Sequence, residues 1–137
     1  MSDAASSPPA EPPTPYAAIG GDAAVRRLVD RFYDLMHTLP EAQTIRAMHA
    51  ASLDVSRDRL YWFLCGWLGG PQLFVERRGH PRLRARHLPF AIDQAAAAAW
   101  MRCMAQALAE QVDDAALRDQ LRDAMARLAD HMRNRAG

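Results

Sequence analysis

Residues 79–90 read GHPRLRARHLPF and set His87 behind Arg82, Arg84 and Arg86, with Pro89 two positions further on. The chemistry open to such a stretch is narrow. The other histidines, His37, His49, His80 and His131, make no HExxH pair, and no Cys/His cluster has zinc spacing. A GxSxG nucleophile turn, a P-loop and a GxGxxG turn are absent as well. One imidazole is nonetheless enough for one kind of cofactor. Haem iron takes a single firm axial nitrogen, because the porphyrin supplies the other four. The macrocycle then asks for an apolar pocket, and its propionates ask for cations whose planar fork matches a carboxylate. Leu88, Phe90 and Ile92 can wall such a pocket around His87, and Arg59, Arg84 or Arg86 can reach a propionate. Taken alone, the pattern more commonly describes a solvated basic loop beside an unremarkable histidine, or a loop that holds phosphate.

The chain that must position these residues is short. Its 137 residues fit one domain with one core, and an apolar content of 50% excludes a disordered polypeptide. The net charge of +1 creates no global field toward nucleic acid or a membrane surface. Every basic residue is arginine, which reads as compositional drift. Cys65 and Cys103 lie far apart and form neither a CxxC pair nor a disulfide framework, so a reduced, cytoplasmic setting is expected. The absence of CxxCH leaves covalent haem attachment without support. No run approaches the roughly 18 apolar residues of a membrane span, and the N-terminus lacks the pattern of a signal peptide.

Residues 1–15 hold five prolines and little that can pack, and are expected to form a disordered tail. Gly20 and Gly21 break any helix begun at Tyr16, and Asp22 is placed to cap the next one. Val25, Leu28, Val29, Phe32, Tyr33 and Met36 then recur at helical steps until Leu39 and Pro40. Ile45 and Met48 fit a short helix with His49 near its end. Ser52 or Asp54 can cap a third helix with the stripe Leu60, Phe63, Leu64, Trp67 and Leu68, which Gly69, Gly70 and Pro71 stop. Residues 72–92 show no long period and permit only short helical turns, and a connection of that length is often functional. Asp93 caps a long helix whose inner side carries Ala97, Trp100, Cys103, Met104, Ala107, Leu108 and Gln111. Asp113 or Asp114 caps the last, with Leu117, Leu121, Ala124, Met125, Leu128 and Met132 inward. The pattern predicts an all-α protein with about four substantial helices and one irregular connection.

Several of these pieces together resemble a known family. FLCGWLGGP at 63–71, ERRGHPRLRARHLPFAI at 76–92 and WMRCM at 100–104, with RFY at 31–33 and IRAMH at 45–49, resemble a truncated haemoglobin, specifically group II (O-type) of the bacterial-type globins. The resemblance implies a shortened globin fold, two helices packed over two around a haem, with a proximal segment that is mostly loop. The domain is expected over residues 16–133, with residues 134–137 as a C-terminal tail.

The resemblance implies roles residue by residue. His87 is the proximal ligand of a non-covalent haem b. Tyr33, Trp100 and His49 are potential donors to a diatomic ligand on the distal side. His49 stands where many relatives carry tyrosine, and a one-residue gap is needed after it. Ser56 occupies the position of the distal histidine of ordinary globins and is too short to touch a ligand. Leu60, Phe63, Phe90, Ile92 and Met104 join the apolar wall, and Arg59, Arg84 and Arg86 are candidates for the propionates. Tyr61 and Trp62 lie off the stripe, either for a homodimer contact or for burial in the chain's own core. The function implied is binding of O2, NO or CO at ferrous haem iron, serving redox chemistry such as nitric oxide detoxification or reaction with peroxide, with an unidentified reductase. The rival readings are a haem-based sensor or carrier without turnover, and a helical interaction module without cofactor.

Overall fold

The protein was analysed as a computed structural model that describes residues 13–136. Most of the Pro-rich stretch expected as a tail therefore lies outside the described residues. Pro13 and Thr14 precede α1 (Pro15–Ile19), whose first turn is capped by the Thr14 hydroxyl at 3.1 Å from the Ala17 amide. Then come α2 (Asp22–Thr38), a 3-10 turn (Pro40–Ala42) and α3 (Gln43–Arg46). They lead to α4 (Asp54–Trp67), α5 (Leu73–Arg78), α6 (Leu83–His87), α7 (Gln94–Gln111) and α8 (Ala115–His131). Among the described residues there is no strand.

The long helices sit where the apolar periods predict them, and α2 buries Val25, Leu28, Val29, Phe32, Tyr33 and Met36. It packs on α7 and on α4, while α7 packs on α8, so one pair of helices lies over another. Leu64, Cys65, Leu68, Cys103, Met104, Leu108, Leu121 and Met125 complete the core, and no charged or polar side chain is fully buried among the described residues. On α7 the expected Gln111 is exposed, and Val112 just beyond it is buried instead. On α8 and just past it Leu117, Leu121, Met125 and Met132 are buried as expected, Ala124 and Leu128 are half-buried, and Ala129 joins the buried side.

The caps divide. Asp93 accepts from the Ala96 amide at 2.8 Å, and Asp114 from the Ala116 and Leu117 amides at 3.0 and 3.1 Å. Asp22 does not cap α2. Gly21 takes that position, and the Asp22 carboxylate, inside the first turn, accepts the Tyr61 hydroxyl of α4. Neither Ser52 nor Asp54 caps α4, whose cap residue is Leu53. The Ser52 hydroxyl instead accepts from the Asp54 amide at 3.3 Å in the turn before it.

The glycine pair after α4 has two separate reasons. Gly69 has a φ of 92°, a left-handed conformation that disfavours any side chain, while a side chain at Gly70 would occupy the space of the Tyr16 ring. The connection at 72–92 breaks for similar reasons. Gly79 (φ 76°) ends α5, and Arg82 (φ 45°), following Pro81, turns the chain into α6. From residue 75 to residue 95 no side chain is fully buried, and α6 is not closely packed on any other helix.

Candidate functional site

Tyr33 and Trp100 come from the two helices that form the centre of the core, α2 and α7. Phe32, fully buried, lies between them. Its ring centroid is 4.9 Å from that of Tyr33 and 5.1 Å from that of Trp100. On the other side, Tyr33 meets His49 edge-on at 5.9 Å. The order Trp100, Phe32, Tyr33, His49 is thus one continuous row of rings, which brings together all three expected ligand-side residues. Tyr33 is only 6% exposed, yet its hydroxyl has no hydrogen-bond partner among the described residues, and neither has the Trp100 indole N–H. Burial pushes the Tyr33 phenol well above its ordinary value, against a smaller opposing effect of Arg57, so the hydroxyl keeps its proton and donates.

The two histidines share one local device. His49 Nδ1 lies 2.8 Å from the Ile45 carbonyl, and His87 Nδ1 lies 2.6 Å from the Leu83 carbonyl, each four residues back. A carbonyl only accepts, so Nδ1 carries the proton in both rings and Nε2 of a neutral ring presents a lone pair. For His87 this is the form a metal ion binds. For His49 the neutral ring presents Nε2 as an acceptor, and only a protonated ring presents a second donor. Burial lowers the His49 pKa most, the Ile45 carbonyl pulls it the other way, and the electrostatic influence of Arg46 and of His87 lowers it further. The ring is neutral at pH 7.

His87 closes α6 and is half-buried. Leu88 and Phe90, on either side of Pro89, stay 49% and 40% exposed, an unusual amount of apolar surface for a loop, and Ile92 is half-buried. A cavity of ≈ 470 Å³ opens between Phe63 and Trp67 of α4, residues 80–85 including Leu83, and Leu128 and Met132 of α8. A smaller one, ≈ 190 Å³ and polar, lies by His37, Arg46 and Arg57 near the start of α4. Leu60 and Phe63 are half-buried on α4, as is Ser56, whereas Met104 is wholly enclosed in the core.

The three candidate arginines differ. Arg59 is exposed and makes no hydrogen bond or ion pair among the described residues. Arg84 reaches the Arg133 carbonyl at 3.4 Å. Arg86 donates to the Pro81 carbonyl at 2.6 Å and lies over the Phe74 ring at 5.2 Å. Tyr61 and Trp62 both find partners within the chain, Asp22 and the Arg77 guanidinium respectively. The cysteines are buried, and burial pushes the Cys65 thiol up to about 11.

Sequence reasoning missed two residues. Arg57 on α4 donates to Asp34 at 2.7 Å and to the Asp30 carboxylate and carbonyl at 3.2 and 2.9 Å, tying α4 to α2 beside the Tyr33 ring. Asn134 donates to the His87 and Phe90 carbonyls and accepts from the Ile92 amide. Neither carries a periodic or motif signal.

Residues 14–134 match the family model described as bacterial-like globin. A group 2 truncated haemoglobin of Bacillus subtilis is 37% identical over 120 residues, 88% of each chain. The chain belongs to this family, among the group II truncated haemoglobins. The solved group II two-on-two haemoglobin of Agrobacterium tumefaciens is 46% identical, with a TM-score of 0.89 over 93% of this chain and 98% of that one. The cold-adapted truncated haemoglobin of the Antarctic bacterium Pseudoalteromonas haloplanktis is also 46% identical, with a TM-score of 0.88 over 90% and 99%. Membership carries haem-based ligand binding as the coarse function. The residues of this globin fit that group. The His87 ring turns Nδ1 to the Leu83 carbonyl and leaves Nε2 without a partner, exposed apolar side chains flank it, and α2 carries a tyrosine hydroxyl with no partner among the described residues.

Proposed function

We propose that this truncated haemoglobin holds non-covalent haem b through His87 Nε2 and retains O2 and other diatomic ligands on the side of Tyr33, Trp100 and His49. The observation that supports the reading is Tyr33, a largely buried residue whose phenol keeps its proton and whose hydroxyl has no protein partner among the described residues. A hydroxyl without a partner in the protein is free to donate to a bound ligand. Tyr33 and Trp100 each offer one donor to a ligand with partial negative charge, and the neutral His49 ring can accept from the Tyr33 hydroxyl and orient it. Leu60 and Phe63 line the approach from α4. Arg59, with no partner of its own, serves a propionate best, and Arg84 and Arg86 are already drawn toward other parts of the chain.

When bound, haem supplies ferrous iron for the ligand and the single electron needed to turn O2 and nitric oxide into nitrate, which a separate reductase restores. Two donors to the same ligand favour retention over delivery, which suits that chemistry better than transport. Rapid mixing of the oxygenated protein with nitric oxide tests it. Stoichiometric nitrate is expected within the mixing time. Recovery of unreacted nitric oxide alongside an unchanged oxygenated spectrum would refute the redox role and leave a carrier.

A further inference from the structure

The segment that carries His87 has little of its own to hold it. Residues 75–95 contribute no fully buried side chain, α6 spans five residues, and no other helix packs closely on it. Beyond α6 the backbone is irregular, so its polar groups need partners from elsewhere. The chain end after α8 supplies them. Asn134 Nδ2 donates to the His87 carbonyl at 3.1 Å and to the Phe90 carbonyl at 2.9 Å, while its Oδ1 accepts from the Ile92 amide at 2.9 Å. The Asn134 and Arg135 amides both donate to the Ile92 carbonyl, at 2.9 and 3.1 Å. Only a short amide side chain meets this pattern. It must donate twice in one direction and accept in the other, and a carboxylate has no donor while a hydroxyl has one.

We propose that Asn134 is the positioning residue of the proximal histidine. It fixes the His87–Ile92 backbone to the end of α8 and so sets the tilt of the imidazole under the haem. The proposal rests on the reading of His87 as iron ligand. Residues 134 and 135, which sequence patterning leaves as a tail, then tie the proximal segment to the end of α8, beside the longer contact of Arg84 with the Arg133 carbonyl.

The test compares the full-length protein with Asn134→Ala and Asn134→Asp, the latter keeping size and acceptor but losing both donors. Three readouts are taken: transfer of haem to excess apomyoglobin, the iron–histidine stretching band of the ferrous protein, and amide hydrogen exchange of residues 83–92 without haem. Both variants are expected to lose haem about tenfold faster, to show a shifted or broadened band, and to exchange faster through that segment while α2 and α7 stay protected. Unchanged haem transfer, band and exchange in both variants would overturn the proposal. If Asn134→Ala does not fold, Asn134→Asp decides alone. If the unsubstituted protein takes up no haem, the reading of His87 fails, whereas the exchange comparison still decides whether Asn134 clamps the segment.

Discussion

In the proposed site, Tyr33, Trp100 and His49 would divide the work among a phenol that keeps its proton, a donor-only indole and a ring whose protonation follows pH. A neutral hydrogen bond contributes roughly 0.5–1.5 kcal/mol, and one present only in the bound state slows release up to about tenfold. Replacing Tyr33 by Phe is expected to speed O2 release about tenfold, and Trp100→Phe by a similar factor, both read by stopped-flow displacement. Unchanged release in Trp100→Phe removes the indole from the account. His49 adds a signed pH effect. Its folded pKa lies below the ordinary value of about 6.5, so Nε2 accepts at neutral pH and gains a proton only as pH falls through that lowered value. Release is expected to be flat from about pH 7 to 9 and to slow under acid, with the acid limb absent in His49→Phe. The same shift bears on stability. The unfolded ring takes its proton first as pH drops below about 6.5, so this contribution is full above that value and is lost in acid. The urea midpoint of His49→Phe apoprotein should therefore fall less between about pH 7.5 and 5 than that of the unsubstituted chain. His87 and Tyr33 stand out in sequence as candidates because each sits in a run of recognisable neighbours. The orientation of the His49 ring is not legible, because it depends on which nitrogen meets the Ile45 carbonyl.

Among the elements, apolar period and length decide what can be read in advance. Helices α2, α4, α7 and α8 repeat their apolar residues over several turns, and the structure places them accordingly. Helices α5 and α6 are too short for a period. Their limits come from the left-handed turns at Gly79 and Arg82, which are backbone facts that composition only hints at. Caps show the same division. An Asp before a helix is a good signal when the chain approaches extended, as at Asp93 and Asp114. It fails at Asp22, where Gly21 already makes the turn and frees the carboxylate for Tyr61. Asp114→Ala is expected to cost about 1 kcal/mol in urea unfolding, through the two amides it leaves uncapped. The tie between α2 and α4 escapes sequence patterning altogether, because Arg57 and its partners lie 23 and 27 residues apart. Its side chain is 20% exposed while those of Asp30 and Asp34 are 44% and 54% exposed, so the screened pair contributes modestly. Arg57→Met is expected to lower stability by about 1–2 kcal/mol, and the loss should vanish when Asp30 and Asp34 are already Asn.

At the scale of the whole molecule, the two pairs of helices form a dry core without a fully buried charge, and the proximal connection stands away from it. Apolar Leu88 and Phe90 of that connection are exposed, and the proposed haem would cover them. Burying such side chains is worth about 25 cal/mol for each Å² removed from water, so haem uptake should raise the thermal midpoint well above that of the apoprotein. The order of helices was legible because it follows from the apolar stripes. The course of the chain through α5 and α6 was not, because segments of six and five residues carry no apolar period. The central claim, that His87 is the iron ligand of this globin, is tested most directly by titrating the apoprotein with haem and recording the ferric, ferrous and carbon monoxide spectra beside those of His87→Ala. The account predicts a one-to-one Soret transition with a sharp carbon monoxide form in the unsubstituted protein, and loss of the native band position in the variant. Identical spectra in the two proteins, or no Soret band in either, would contradict it.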